Sequence, residues 1–466
     1  MSFTKQETAI RAAYRRKPLH QSLAQFMGRA NRRLRVGAVI AVGLFGTALA
    51  GHNLVMNGGE DILIEFASDK PVDADHHLTD SLSVGARVEV EILSEMNFNL
   101  DDEKDEDTQE IRPKLEVALA YEPNTQFRFY TEVELSRKLI LKDPDSREAE
   151  FKLELTQAYV TVRDPADQFV LTLGRQYMGD EREWLLDEEL DGVELVLRND
   201  DLALELSYGR EGIVRRDLLL KELRKQPDYF LARGFKAISE DSQVSAFALY
   251  QDGHEGKSDE DLLFLGVQSF GDLGSHVDFW ADGAVVFGES KKGRDVRGFG
   301  FDVGVTKTFK ELPMRPYLTA GVAFGSGDDG SGNDTAFRQS GLHGNSDRFG
   351  GVTSFHYYGE VFDPELSNLG ILTLGAGFRP TRRSSIDLVY HRYAQHRLED
   401  DLRDVAIDED PEGLSRHIGD EIDLVVGIKE IENIDLELVG GVFLPGRAFE
   451  NRDPAFFGGM TVQFKF

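Results

Sequence analysis

An all-β fold, a single transmembrane antiparallel β-barrel of about 18 strands with long polar loops, is what this 466-residue sequence predicts. Three observations carry it: apolar/polar alternation that recurs from about Ser81 onward, a secretory-type apolar segment near the N-terminus, and an unbroken alternation in the closing stretch GGMTVQFKF, Gly458 to Phe466. A period of two places successive side chains on opposite faces of an extended strand. Met460, Val462, Phe464 and Phe466 then share an apolar face, and Thr461, Gln463 and Lys465 a polar one.

The N-terminal segment gives the address. Val36 to Leu49 (VGAVIAVGLFGTAL) follows Arg29, Arg32, Arg33 and Arg35 and closes on Ala48-Leu49-Ala50, the basic, apolar, small-residue order of a secretory signal. It is shorter than the roughly 20 apolar residues that a spanning helix needs. Residues 1–50 are therefore expected to be an N-terminal extension with signal peptide, cleaved after Ala50, with Met27 as an alternative start. Residues 51–466 are expected to form the barrel domain in the outer membrane of a Gram-negative bacterium.

The strands follow in order. Leu115, Val117, Leu119 and Tyr121 alternate with Lys114, Glu116 and Glu122, and Phe127, Phe129, Thr131, Val133 and Leu135 alternate with Arg128, Tyr130, Glu132 and Glu134. Leu202, Leu204 and Leu206, then Ile422, Leu424, Val426 and Ile428, then Ile434, Leu436 and Leu438 repeat the pattern. Many half-apolar strands suit either a soluble sandwich or an outer-membrane barrel. The secretion signal and the terminal Phe favour the barrel, and Tyr121, Tyr130, Tyr159, Tyr208, Tyr390 and Tyr393 near strand ends read as its aromatic girdle. Asp101 to Gln109, Gly325 to Gly351 and Arg397 to Gly419 read as loops. A barrel of this size encloses an aqueous lumen. Alternation puts Glu89, Glu91, Glu116, Glu132, Glu134, Glu154 and Glu205 on its inner face, against Arg87, Arg128, Lys152 and Arg198.

Composition narrows the function. Lys and Arg total 53 against 83 Asp and Glu, so no basic face is available to displace counterions from a nucleic acid. The absence of cysteine excludes disulfides and thiolate sites. The histidines form no HExxH set and there is no G-x-S-x-G, so an enzyme or a cofactor has little support.

Two stretches are more specific: LGRQYMGDEREWLLDEELDGV (Leu173 to Val193), and GSGDDGSGNDTAFRQSGLHGNSDRFGG followed by FHYYGEVFDPELSNL between Gly325 and Leu369. With DLVYHRYAQ (Asp387 to Gln395), GDEIDLVVG (Gly419 to Gly427), GGVFLPGRAF (Gly440 to Phe449) and the closing FKF, they resemble the alginate export (AlgE-type) family of outer-membrane porins. The resemblance implies an 18-stranded monomeric barrel, constricted by loops, that carries an anionic uronate polymer out of the cell, in contact with membrane lipid and with possible periplasmic secretion partners. Arg112 matches a pore arginine of the family and Asp187 its acidic pore residue, whereas Gln157 and Tyr177 stand where the family has arginine.

Guanidinium groups fork-bond carboxylates, so arginines are the natural lining for a polyanion route. The candidate pore-lining residues are Arg112, Arg128, Lys152, Arg175, Arg182, Asp187, Arg338 and Arg348. For Arg175 and Arg182 the competing reading is a wall residue paired with carboxylates that hold loops. Asp328, Asp329 and Asp334 are weak calcium candidates, because calcium favours several oxygen ligands. The alternative to a transport pore is a structural or complex-forming barrel, or a general porin.

Overall fold

The computed structural model describes residues 71–466, apart from 105, 144–149, 200–201, 220–225, 240, 254–259 and 331. The expected signal peptide, its cleavage after Ala50 and the alternative start at Met27 lie outside the described residues.

A short strand β1 (His76–Thr79) turns directly into β2 (Leu82–Met96), and hairpins continue through β3 (Thr108–Asn124), β4 (Phe127–Lys142), β5 (Glu150–Arg163), β6 (Phe169–Gly179), β7 (Asp187–Arg198) and β8 (Leu202–Arg210). They go on through β9 (Asp228–Ser239), β10 (Ser242–Asp252), β11 (Asp261–Asp272), β12 (Val277–Glu289), β13 (Asp295–Thr308) and β14 (Tyr317–Gly325). A long loop then carries two-residue strands β15 (Ser346–Asp347) and β16 (Phe355–His356) before β17 (Leu369–Phe378), β18 (Ser384–Gln395), β19 (His417–Ile431), β20 (Ile434–Pro445) and β21 (Ala455–Lys465). All pairings between these strands are antiparallel, and β2 pairs with both β3 and β21. The wall, β2–β14 and β17–β21, is a closed barrel of 18 strands.

Closure answers a solvent constraint: lipid offers backbone N–H and C=O groups no partner, so a membrane sheet must leave no edge. The closing register also fixes the faces. Val88, Val90 and Ile92 of β2 lie opposite Phe464, Val462 and Met460 of β21, and Arg87, Glu89 and Glu91 lie opposite Lys465, Gln463 and Thr461. The first set faces lipid and the second the lumen, as the alternation predicts. An outward apolar belt continues round the wall through Leu204, Leu206, Phe299, Phe301, Leu372, Leu374, Ile422 and Leu424, all substantially exposed in the isolated chain.

The two ends of the barrel differ. At the end that also holds the C-terminus the connections are short: two residues join β3 to β4 and β19 to β20. In the latter, Asn433 takes φ 62°, a left-handed conformation that asparagine tolerates and a tight hairpin requires. The opposite end carries the 97–107, 180–186, 211–227, 326–368 and 396–416 loops. Short turns mark the periplasmic side of such barrels and long loops the outer side.

Much of the interior is packed. The 326–368 loop is longer than the stretch read from sequence and folds back into the lumen with Phe337, Phe349, Phe355, Tyr357, Tyr358 and Phe362 buried; Trp184, Leu185 and Leu186 of the 180–186 loop join them. The wall makes room with glycine. A Cβ on Gly300 would stand 2.5 Å from Phe337 and one on Gly304 2.1 Å from Trp280. The same filling corrects the girdle read from sequence. Tyr130 and Tyr393 are buried inside, and Tyr159 stacks on Tyr130 at 5.2 Å, because their positions carry inward parity. An N-terminal strap lies inside too: Val72 is buried, its N–H donates to Glu132 at 2.7 Å and its carbonyl accepts from the Tyr130 hydroxyl at 2.8 Å.

One part of the wall is patched. β5 pairs with β6 only over Ala158–Arg163, and the rest of its edge is met by the loop after β8. Leu155 N–H donates to Arg216 O at 2.9 Å, Leu218 N–H donates to Leu153 O at 2.8 Å, and Glu154 bridges to Asp217. Ile213, Val214, Leu218 and Leu219 of that loop are exposed.

The face assignment makes a contrast that can be measured. Leu424→Arg on the lipid face should cost about 2–4 kcal/mol, read by urea unfolding in lipid vesicles, while Thr461→Arg on the lumen face should be close to neutral; equal losses would contradict the register.

Candidate functional site

Two kinds of charged group line the interior, and burial separates them. The first kind is spent on holding loops. Arg182 is 2% exposed; its Nη1 donates to Asp282 at 2.7 Å and Asp302 at 2.9 Å, and its Nε to Asp347 at 3.2 Å. Its guanidinium also lies 4.7 Å from the Trp280 ring centre and 4.2 Å from that of Tyr357. One cation therefore ties the 180–186 loop to β12, β13 and the 326–368 loop. Asp180 fixes the same turn by accepting the N–H groups of Trp184, Leu185 and Leu186 at 3.0, 2.8 and 2.8 Å, and Trp184 Nε1 donates to the Tyr358 hydroxyl at 3.0 Å.

Arg338, also 2% exposed, pairs with Glu260 at 2.7 Å and Asp334 at 2.5 Å. Arg175 forks onto Asp191 at 2.9 and 2.8 Å and donates to the carbonyls of Leu155 and Val214, sealing the patched seam. The Glu421 carboxylate accepts Val361 N–H at 2.7 Å, Phe362 N–H at 3.0 Å and the Tyr393 hydroxyl at 3.0 Å, pinning the far end of the long loop. Arg175, Arg182 and Arg338 were candidate pore-lining residues on sequence grounds; here they are loop anchors. Asp191, Asp282, Asp302 and Glu260, which they hold, are buried and need that counter-charge.

The second kind of charge borders open lumen along β2–β4, β20 and β21. Lys114 Nζ reaches Glu89 at 2.8 Å and Glu91 at 2.9 Å. Arg112 pairs with Glu110 and stands 3.9 Å from Glu91; Lys138 also pairs with Glu110, and Lys465 with Asp435 at 2.9 Å. In every one of these pairs the cation is the more exposed partner. Arg112, Lys138 and Lys465 side chains are 41%, 38% and 42% exposed, against 9% for Glu110 and 20% for both Glu91 and Asp435. The carboxylates lie back against the wall while the cationic tips face water, so this lane is less acidic than the residue count suggests. Glu134 faces the same lumen without such a partner among the described residues.

The long loop adds His356 to the lane. Its Nδ1 lies 3.3 Å from Asp363 and 4.0 Å from Glu360, and the side chain is 44% exposed. Burial alone would lower its pKa, but the Asp363 and Glu360 carboxylates outweigh burial and raise it to about 10. His356 is therefore a cation through neutral pH.

The other predicted residues fall as follows. Arg128 faces the lumen near the turn end, 3.1 Å from Glu122. Lys152 shares the inner face of β5 with Glu154. Asp187 accepts the Tyr177 hydroxyl at 3.0 Å. Arg348 is exposed on the underside of the long loop. The calcium candidates do not share one cluster: Arg294 pairs with Asp328 at 2.6 Å and holds it below the usual carboxylate range, and Arg338 pairs with Asp334. Asp329 is likewise outside any carboxylate cluster. Among the described residues the one group close enough to share an ion is Asp101, Asp102 and Asp453. Lys114, Lys138 and His356 were missed as candidates; the inward parity of the two lysines was readable from the same alternation that placed Arg112.

The family model described as Alginate export matches residues 80–463. Two curated proteins, both called alginate production protein AlgE, are similar in sequence. The one from Pseudomonas aeruginosa is 28% identical over 188 residues, 35% of this chain and 37% of that protein. The one from Azotobacter vinelandii is 25% identical over 198 residues, 37% of this chain and 39% of that protein. The matched stretch thus spans less than half of either relative. Among solved structures, OccK5 (OpdH) of Pseudomonas aeruginosa aligns with a TM-score of 0.56 at 11% identity, covering 84% of this chain and 99% of that one. A BenF-like porin from Pseudomonas fluorescens Pf-5 aligns with a TM-score of 0.56 at 11% identity, covering 84% and 100%. These likenesses place the fold among outer-membrane porins.

Two measurements check the site. Arg182→Met leaves three aspartates without their cation and should cost about 3–5 kcal/mol, seen as a lower Tm and as larger, noisier single-channel conductance once the loop loosens. For His356, the stabilising pairing is fully present below the ordinary histidine pKa of about 6.5 and is lost only as pH rises through about 10. Asp363→Asn should bring titration down toward neutrality, so ion selectivity should shift between pH 6 and 8 in that variant and hold steady in the parent.

Proposed function

Because the chain belongs to the alginate export family, we propose that this outer-membrane porin passes an anionic, uronate-type polysaccharide, or a related anionic solute, through its lumen. One observation carries the reading: along the open lane Arg112, Lys114, Lys138 and Lys465 each present the cation to water and keep the paired carboxylate behind it. A chain of carboxylates meets a row of donors spaced along one wall, with His356 added by the long loop. Fixed cations of this kind select anions by replacing part of their hydration. Family and fold are those of transport porins rather than enzymes, and the loop packing narrows the barrel.

The carboxylate surplus of the chain, with Glu134 facing the lumen, favours a second reading as a general porin. Planar-bilayer recording separates the two. Transport of a polyuronate expects anion-selective current that is blocked by uronate oligomers, and Arg112→Glu with Lys138→Glu should weaken the block about tenfold or more, near 1.4 kcal/mol. Cation selectivity with no block would overturn the polyanion reading and leave the general porin.

A further inference from the structure

Apart from the lane, the barrel holds a second recess. A cavity of about 370 Å³ lies between the underside of the 326–368 loop and the turn end of β11–β13, within the roughly 300–1,000 Å³ of small-molecule sites. Lys310 and Asp241, from two short turns, stand among its walls, so it opens toward the periplasmic end.

Its chemistry is mixed in a particular way. Arg182 lines the cavity but is already held by Asp282, Asp302 and Asp347. Arg348 and Lys310 are exposed there, and neither makes an ion pair among the described residues. Asp272 and Asp278, at the facing ends of β11 and β12, add acceptors, as do Glu181, Asp241 and Asp347. Phe349, stacked on Trp280 at 5.5 Å, gives an apolar wall. A purely anionic ligand would leave the carboxylates repelled, and a cation would leave Arg348 and Lys310 unused. A sugar acid uses all three: its carboxylate takes the cations, its hydroxyls donate to the aspartates, and its C–H face lies on the aromatic wall.

We propose that this recess is a periplasmic-side subsite for a uronic acid segment, separate from the cationic lane. The proposal deepens the reading of the barrel as a polyuronate pore and rests on it for the identity of the sugar. It gives the polymer a first hold before the lane, on the opposite side of the long loop.

Calorimetric titration of the detergent-purified full chain with a tetrameric uronic acid oligosaccharide tests it. A saturable site is expected whose affinity falls at least tenfold in Arg348→Ala/Lys310→Ala, two exposed positions whose loss leaves the buried anchors intact, and stays within about twofold in Arg112→Ala/Lys138→Ala. No saturable heat, an affinity unmoved by Arg348→Ala/Lys310→Ala, or equal binding of a neutral tetrasaccharide would overturn the subsite. Lane block in bilayers without calorimetric dependence on Arg348 and Lys310 sinks the recess alone; calorimetric binding without lane block sinks the transport reading alone.

Discussion

A membrane sheet with an unpaired edge is not an option in lipid, and most of this architecture follows from that prohibition. The register between β2 and β21 satisfies it over most of the wall. Where β6 and β5 part company, it is satisfied by borrowing: main chain from the loop after β8 occupies the vacated edge, and Arg175 stitches Asp191 to two carbonyls across the join. The departure goes together with the 180–186 loop entering the lumen, where Asp180 and Arg182 hold it. The seal in the wall and the plug in the lumen are thus two sides of one rearrangement. An inserted loop leaves a gap, and a gap in lipid has no solvent to fill it.

The lumen follows a second rule. Several fully enclosed charges come as networks around arginine, and some of these span elements far apart in sequence. Arg182 and Asp302 are 120 residues apart, and Arg338 and Glu260 are 78 apart. Such pairs set where the loops sit, and loop position sets how much of the barrel stays open. A further set of charges lies along β2–β4, β20 and β21, with exposed cations bordering the lumen.

How much of this was legible in the sequence depends on the range of the interaction. The period-two pattern is local, so the lipid and lumen faces of Val88, Glu89, Phe464 and Lys465 could be read directly, as could the strand count and the inward set from Glu89 to Glu205. The loops are another matter. Arg175, Arg182 and Arg338 looked like pore arginines because composition says nothing about which carboxylates will fold onto them. Tyr130, Tyr159 and Tyr393 looked like a girdle because an aromatic near a strand end suits the membrane interface; parity was the better guide, since it points all three inward. Lys114 and Lys138 carried the right parity but stood outside any motif. The raised pKa of His356 needed Asp363, seven residues on, to return to it through a bend in the loop.

The ion pairs of the open lane have one more implication, which concerns speed. A bare row of guanidinium groups would grip a polyanion tightly at every step and release it slowly. Here each cation already has a carboxylate behind it, so an arriving anion gains only the difference between two partners, and a departing one is replaced at once. Conduction needs sites strong enough to enter and weak enough to leave. Under the proposed polyanion reading, pre-neutralised cations would keep a charged polymer moving, trading grip for turnover along the wall.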